Sequence, residues 1–371
     1  MNRIETKLSS LREGYDGKRC FVHARLAVNG DEMVATAQYL NVQGSDKFDT
    51  LHVAFSHDGG RAWTELQPDN AFAPVIDKYG LKCVCCDMTP MYHKKTGKFL
   101  VIGHTVQYKG DSLHPVAPGE RFRSTPYSVL DIATGHFKPV RHIDTHGSEK
   151  YLDCGSGCSQ CLELPDGDIL IPVSFSERIN GVAQNSKVTV FRCSFDGEVI
   201  TLKETGNDIE VKNEVRGIGE ASIIEHDNRY FLTIRGDTYG YVCSSADGLH
   251  FTEPIIWHWD DGEIVPTYNT QSHWMKLKGK LYLVYTRKAG TNDHVFRHRA
   301  PLWATEVDSD NLTLKREKEW IVVPERGARL GNFGVCSPDD KVAYVLAAEW
   351  MQPIGCEKYG SNNRIWLATL S

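Results

Sequence analysis

Short, strongly apolar runs recur along the chain, each ending on a polar residue. They are Met33 to Ala37 before Gln38, Phe99 to Gly103 before His104, Ile169 to Val173 before Ser174, Tyr230 to Ile234 before Arg235, Tyr282 to Thr286 before Arg287, and Tyr344 to Ala348 before Glu349. Flanked by Gly, Asn and Asp, these runs predict buried strands rather than helices. They recur irregularly, on average roughly every 60 residues, a little above the blade lengths usual for propellers.

A second series of signals follows each run. Ser56-His57-Asp58-Gly59-Gly60-Arg61-Ala62-Trp63 fits S-x-D-x-G-x-x-W, the Asp box. In that turn the Ser and Asp oxygens can accept from backbone N–H groups, Gly supplies a positive φ, and Trp packs the turn on its sheet. Shorter versions are Ser245-Ala246-Asp247-Gly248-Leu249-His250-Phe251, Ser194-Phe195-Asp196-Gly197, Asp131 to Phe137, and Asp308-Ser309-Asp310-Asn311. Each lies between two strand-like runs and predicts a β-hairpin.

The two series together predict an all-β, six-bladed β-propeller of four-stranded antiparallel blades, residues 1–371 forming one domain. First strands begin near Phe21, Val84, Ser159, Ala221, Trp274 and Phe333. The last unit has three strands ending at Ile365 to Thr369, and the segment Ile4 to Leu11 is expected to supply its fourth and close the ring, removing exposed edges. A seventh blade from the Gln67 to Leu81 connection, or a two-sheet sandwich with a second domain, are the alternatives.

Composition narrows the partners. The net charge of −6 gives nucleic acid no electrostatic attraction. No apolar run is long enough to span a bilayer, and the start Met1 to Lys7 lacks the apolar core of a signal peptide. Eleven cysteines, an odd number placed mostly within strands, favour a reducing, cytoplasmic location. Cys83, Cys85 and Cys86, with Cys154, Cys158 and Cys161, fall near neighbouring inner strands. Their spacing matches no zinc finger, so buried structural thiols are expected, with no metal and no cofactor.

Propeller connectivity sorts the polar residues. Connections from strand 2 to 3 and from strand 4 to the next strand 1 share one face. That face receives Gln38, His104, Ser174, Arg235, Arg287 and Glu349 from the ends of strand 2. It also receives Arg121, Arg123, His294, Arg297, His298 and Arg299 from the 2-to-3 connections. The 4-to-1 connections add Tyr151, Asp153, Arg216, Glu220, Tyr268, Asn269, Gln271, His273, Arg326 and Arg329. Guanidinium groups are planar forks with a fixed charge, suited to carboxylates and sulfates. Concentrated on one face of a net-acidic protein, they point to an anionic ligand. Taken singly, each Arg is more often a structural partner for Asp or Glu of a neighbouring blade than a ligand-binding group. His23, on an inner strand, is either a satisfied core residue or a group at the channel mouth.

Several segments carry a resemblance to the Asp-box, sialidase-like propellers: Gly103 to Val106, Tyr268 to Trp274, Asp293 to Leu302, and Glu325 to Gly334. They resemble a bacterial subgroup similar to propellers that release L-rhamnose from glucuronate in acidic glycans, and to ulvan-type lyases. The resemblance covers the whole chain and implies a carbohydrate-active enzyme that cleaves, by hydrolysis or β-elimination, a glycosidic bond beside a uronic acid in an acidic oligosaccharide. It implies His104 as the proton-transfer residue with Tyr151 or His273 as partner, and Arg123, Arg235 and Arg287 as holders of the carboxylate. By analogy with the rhamnose-releasing relatives, in which a single His on the other face can carry the reaction, it implies His23 as that histidine. Arg216, Arg297, Arg329, Gln271 and Glu349 complete the expected substrate-binding set. Sialidases themselves hold a carboxylate with three arginines and use a Tyr primed by a Glu, with an Asp acid/base. Here Arg235 and Arg287, with Arg25, Arg326 or Arg329, are the candidates, but the early Arg-Ile-Pro motif is absent. An exo-α-sialidase and a non-catalytic glycan-binding propeller are the alternative functions.

Overall fold

The computed structural model describes residues 4–371 except 44, 45, 111, 113 and 118. Six small antiparallel sheets form a six-bladed β-propeller. Blade 1 comprises Arg19–Asn29, Glu32–Asn41, Leu51–Ser56 and Gln67–Pro68. Blade 2 runs through Lys82–His93, Lys98–Tyr108 and Pro126–Asp131, the last paired with the short His136–Phe137 and Arg141–His142. In blade 3 the inner edge is split into Cys154–Gly155 and Leu162–Glu163, both against Ile169–Phe175, followed by Lys187–Phe195 and Ile200–Thr205. Blade 4 is Gly219–His226, Arg229–Arg235, Gly240–Ser245 and Ile255–Ile256. Blade 5 is His273–Leu277, Lys280–Tyr285, Leu302–Asp308 and Trp320–Val323.

Blade 6 contains Gly334–Cys336, Ala343–Ala348 and Ile365–Leu370, and its outer strand is Thr6–Arg12 from the start of the chain. Thr6 pairs with Leu370 and Leu8 with Ala368, as the closure expectation required. Glu5 and Ser371 exchange backbone hydrogen bonds of 2.9 and 3.1 Å. The 67–81 connection forms no seventh blade. Asn70–Phe72 is a single 3-10 turn, and Val75–Ile76 pairs with the inner strand of blade 2.

An apolar cluster fills each of the six blade interfaces. Between blades 1 and 2 it includes Val34, Val53, Met88 and Val101. Between blades 5 and 6 it includes Met275, Val284, Val345 and Trp366. Each sheet thus buries both faces, which explains why the strand-2 runs are continuously apolar rather than alternating.

The turns between strands 3 and 4 close as local hydrogen-bonded units. Asp58 Oδ1 accepts from the backbone N–H groups of Arg61 and Ala62 at 3.0 and 2.9 Å, and Ser56 Oγ accepts from Gly60 at 2.9 Å. Trp63 donates to the Gly60 carbonyl at 3.2 Å and packs on the blade 6–1 cluster. Asp247 repeats this with Leu249 and His250 at 2.9 and 2.8 Å, and Asp196 with Glu198 and Val199 at 2.8 and 2.7 Å.

On blade 5, Glu306 accepts from Lys280, Lys315 and Lys318 at 2.8, 2.5 and 2.8 Å. Burial raises the pKa of its carboxyl, but the three ammonium groups outweigh it and hold the carboxyl at about 2. A lowered folded-state pKa means stability that is present above the unfolded value of about 4.3 and is lost as pH falls toward about 2. Glu306→Gln is therefore expected to cost about 1–2 kcal/mol at neutral pH, allowing for the solvent screening of the exposed lysines. Urea unfolding of both proteins at several pH values checks this: the difference between them should shrink through that acid window.

Candidate functional site

The site begins with irregularities in the inner strands. Ladder registers shift between Val22 and Arg25 in blade 1, Cys86 and Thr89 in blade 2, and Gly219 and Ser222 in blade 4. Each bulge holds one non-glycine residue in the left-handed region: His23 at φ 55°, Asp87 at 53° and Glu220 at 48°. Cys158 at 59° and Asn269 at 46° do the same in the loops that serve blades 3 and 5. Such conformations cost about 1–3 kcal/mol each and persist where the surroundings over-determine them. The surroundings are visible. Gln38 Oε1 accepts from the Asp87 N–H at 3.3 Å, and Ser174 Oγ accepts from the Glu220 N–H at 3.0 Å. The polar ends of strand 2 in blades 1 and 3 thus clip the bulge of the next blade.

The bulges aim their side chains at one another. Asp87 Oδ1 lies 2.6 Å from His23 Nδ1 and accepts from Arg25 Nη2 at 3.1 Å, and Oδ2 lies 3.2 Å from His104 Nε2. Arg25 Nη2 also reaches Cys158 Sγ at 2.9 Å. Asn332 Nδ2 lies 3.9 Å from the same sulfur, and its Oδ1 accepts from Arg299 Nη1 at 2.9 Å. Arg299 donates to the Asn269 carbonyl, and Arg235 donates to both the Asn269 side chain and Glu220. These contacts draw on all six blades or their adjoining loops and meet around the axis.

Glycines make room for the key groups. A Cβ on Gly157 would stand 2.5–2.8 Å from ring atoms of His104, one on Gly331 2.5 Å from Arg299 Cδ, and one on Gly334 2.9 Å from Arg25 Cα.

The electrostatics are unbalanced. Burial opposes ionisation of Asp87, but His23, His104 and Arg25 outweigh it and hold the carboxyl well below the ordinary range. Glu220 is likewise kept ionised against burial, by Arg235. Arg25 pairs with Asp87, Arg235 with Glu220, and Arg216 with Asp237 at 2.8 Å through Nε. Arg297, Arg299 and Arg329 have no carboxylate within ion-pair distance among the described residues. Burial, then the charge of Arg235, lowers the Arg299 pKa to about 9. Burial and the charge of Arg299 likewise hold the pKa of Arg329 well below the usual arginine range. Buried Nε of Arg299 and Nε and Nη2 of Arg329 lack hydrogen-bond partners. Arg329 instead stacks on Trp350 at 3.2 Å, and Arg329 and Arg297 flank the Phe296 ring at 5.0 and 5.2 Å.

Of the residues expected from sequence, His23, His104 and Arg235 belong to this ring, with Arg216, Arg297 and Arg329 beside it. Gln271 and His273 lie deeper. Gln271 donates to the Phe333 carbonyl at 3.1 Å, and His273, within 2.8 Å of Ser222 Oγ, is driven by burial to a pKa of about 3. His273 is thus a neutral core residue rather than a proton-transfer partner. Four other expectations do not hold in this geometry. Tyr151 is buried edge-on between Phe175 and Phe191, because its segment packs into the blade 2–3 core. Arg123 is bound to Asp153 at 2.7 Å, alongside Arg121. Arg287 forms a two-pronged pair with Glu319 at 2.8 and 2.6 Å and lies over Trp303. Glu349 anchors a turn, accepting from the N–H groups of Asn362 and Arg364 and from Trp366 Nε1.

Sequence reasoning placed Glu220, Asn269 and Arg299 on this face and weighed Arg25 as a carboxylate holder without giving them a place in the substrate set, and it left Asp87, Asn332 and Cys158 out of the site. A bulge with a non-glycine left-handed residue leaves no composition signal. Arg299 differs from Arg297 in sequence only by two positions.

Gln160 closes the channel below the ring. It accepts from the Trp274 N–H at 2.7 Å and donates to the carbonyls of Trp274 and Val335 at 2.9 and 3.2 Å. A separate cavity of about 1040 Å³ opens beyond it at the other mouth, among Leu26, Met91, Leu162, Ile223, Trp274 and Val335, and contains none of the arginines. Within the ring, Cys86, Asp87 and His104 place three potential metal-ligand atoms within 4.8 Å of one another.

No protein-family model matches the chain, and no curated protein matches it by sequence. Solved structures do match in shape. A protein of unknown function from Dyadobacter fermentans aligns over 100% of both chains with a TM-score of 0.66 and 15% identity. A Hadza microbial sialidase aligns with a TM-score of 0.63 and 12% identity over 94% of this chain and 65% of its own. Trypanosoma rangeli sialidase gives 0.63 and 12% over 98% and 59%. This chain therefore spans less than two thirds of the length of those two sialidases. The likeness is one of fold: the chain has the sialidase-type β-propeller architecture.

Gly157→Ala is expected to push the His104 ring away from Asp87 while leaving the blades intact. Imidazole NMR resonances should show His104 changed against an unaltered far-ultraviolet circular dichroism spectrum. An unchanged His104 signal would mean the close approach of Gly157 does not position the ring.

Proposed function

We propose that this mouth of the propeller binds the carboxylate of an acidic sugar and that the protein cleaves the adjoining glycosidic bond, the sugar being a uronic acid. The observation that carries the reading is the excess of guanidinium groups: among the described residues Arg297, Arg299 and Arg329 have no carboxylate partner, beside Arg25 and Arg235. Arg299 and Arg329 are buried while Arg297 is exposed; buried cations without a counter-charge are costly, and an anionic ligand offsets that cost. The fold supports the same class, since the sialidases that share it are glycosidases by name.

The proton-transfer group in this reading is His104, with a partner different from the one expected from sequence. Ionised Asp87 accepts from His104 Nε2–H, which leaves Nδ1 as the basic nitrogen of a partly exposed ring. Asp87 thereby sets the tautomer and orientation, as a carboxylate does in a His–Asp pair. Nδ1 would take a proton from the sugar carbon next to the carboxylate, or from a water, while Arg235 and Arg299 stabilise the charge that develops on the carboxylate. His23 holds Asp87 from the other side and is kept neutral by burial despite the carboxylate.

The specific observation for a second reading, an exo-sialidase, is that Arg25 of blade 1, Arg235 and Glu220 of blade 4 and Arg299 of blade 5 come to one place. Against it, Glu220 Oε1 is taken by Arg235, and among the described residues no tyrosine hydroxyl reaches Oε2.

Arg235→Ala is expected to weaken binding of glucuronate-containing oligosaccharides by about 10- to 100-fold, one or two charge-assisted hydrogen bonds. His104→Ala should keep binding and lower turnover by about 100-fold or more. Calorimetry and mass spectrometry over a panel of acidic oligosaccharides read both. An unsaturated uronate marks elimination, a saturated one hydrolysis, and free sialic acid the second reading. Tight binding with no product at any enzyme concentration would overturn the catalytic role.

A further inference from the structure

We propose that Cys86 Sγ, Asp87 Oδ2 and His104 Nε2 form a binding site for a soft divalent cation, Zn²⁺. In a regular strand, consecutive side chains point to opposite faces. The blade 2 bulge removes that constraint, and Cys86 Sγ stands 3.8 Å from Asp87 Oδ2 even though the two residues are adjacent. His104, opposite Cys86 on the neighbouring strand, brings Nε2 to 3.2 Å from the same oxygen. Tetrahedral zinc with ordinary bond lengths needs donor separations of about 3.3–3.6 Å. All three donor atoms lie within 4.8 Å, so small rotations of the Cys86 and His104 side chains close the site.

The surroundings favour this geometry. The other carboxylate oxygen, Oδ1, is held by Arg25 Nη2 and approached by His23 Nδ1, so Oδ2 is the oxygen presented. Thiolate, imidazole and carboxylate together suit zinc rather than calcium or magnesium. With three protein ligands, the fourth position is left for water or an anionic ligand. The guanidinium of Arg25 and the loss of the Cys86 thiol proton oppose binding, while the Asp87 carboxylate attracts the cation. The balance describes reversible capture rather than a permanent structural ion.

Binding releases the Cys86 thiol proton to solvent and moves the His104 proton from Nε2 to Nδ1. If the proposed proton-transfer role of His104 is right, the loaded form loses its base and Zn²⁺ inhibits; that consequence rests on the functional reading, whereas the site itself does not.

Titration of the full-length protein with Co²⁺ alone tests the site. The expected result is one equivalent bound, with tetrahedral d–d bands and a thiolate-to-cobalt charge-transfer band, both abolished by Zn²⁺. Cys86→Ser should remove the charge-transfer band, His104→Gln should weaken Co²⁺ binding at least about tenfold, and Cys158→Ser should leave the spectrum in place. Absence of a saturable spectrum, or a charge-transfer band that survives Cys86→Ser, overturns the proposal. A normal spectrum with turnover undiminished by Zn²⁺ upholds the site and counts instead against His104 as the base.

Discussion

Closure of the ring is the constraint on which this molecule depends. Six sheets arranged about an axis each expose one inner edge to the same narrow space. Thr6–Arg12 completes the last sheet by pairing with Ile365–Leu370, so the outermost strand of blade 6 comes from the opposite end of the chain. Once the ring is closed, side chains from residues as distant as Arg25 and Asn332 are neighbours, and irregularities in the inner strands acquire a common target. The bulges at His23, Asp87 and Glu220 spend conformational energy to turn polar groups toward the axis.

The energy of that arrangement is supplied by the blade interfaces. Apolar clusters on both faces of each sheet hold the strands rigidly, and rigid strands can hold strained residues and buried charges. Gln38 and Ser174 illustrate the coupling. Each lies at the end of an apolar second strand, and each fixes a bulge of the next blade through its backbone N–H. Packing in one blade therefore determines geometry in its neighbour.

Charge is distributed with a similar logic. Away from the axis, arginines meet carboxylates: Arg123 with Asp153, Arg287 with Glu319. Near the axis the pairing runs out at Arg297, Arg299 and Arg329. A net charge of −6 over the whole chain thus coexists with a local surplus of positive charge at one mouth, and the proposed binding of an anion rests on that surplus.

Much of the architecture was legible in the chain itself. Continuous apolar runs separated by Asp- and Gly-bearing turns specify strands and hairpins through local chemistry, and the sixth unit's missing strand pointed to closure by the N-terminal segment. The general location of the arginines followed from connectivity. Their pairing did not. Arg235 and Arg287 occupy equivalent steps in the sequence pattern, yet one faces Glu220 at the axis and the other Glu319 on the flank of blade 5. Tyr151 read as a rim residue and is core. Periodicity and turn chemistry are properties of neighbouring residues, so the linear chain determines them. Which guanidinium lacks a partner, and which backbone residue is forced into the left-handed region to face His104, depends on contacts between segments that are remote in the chain and lie on different blades. Only the closed ring decides those.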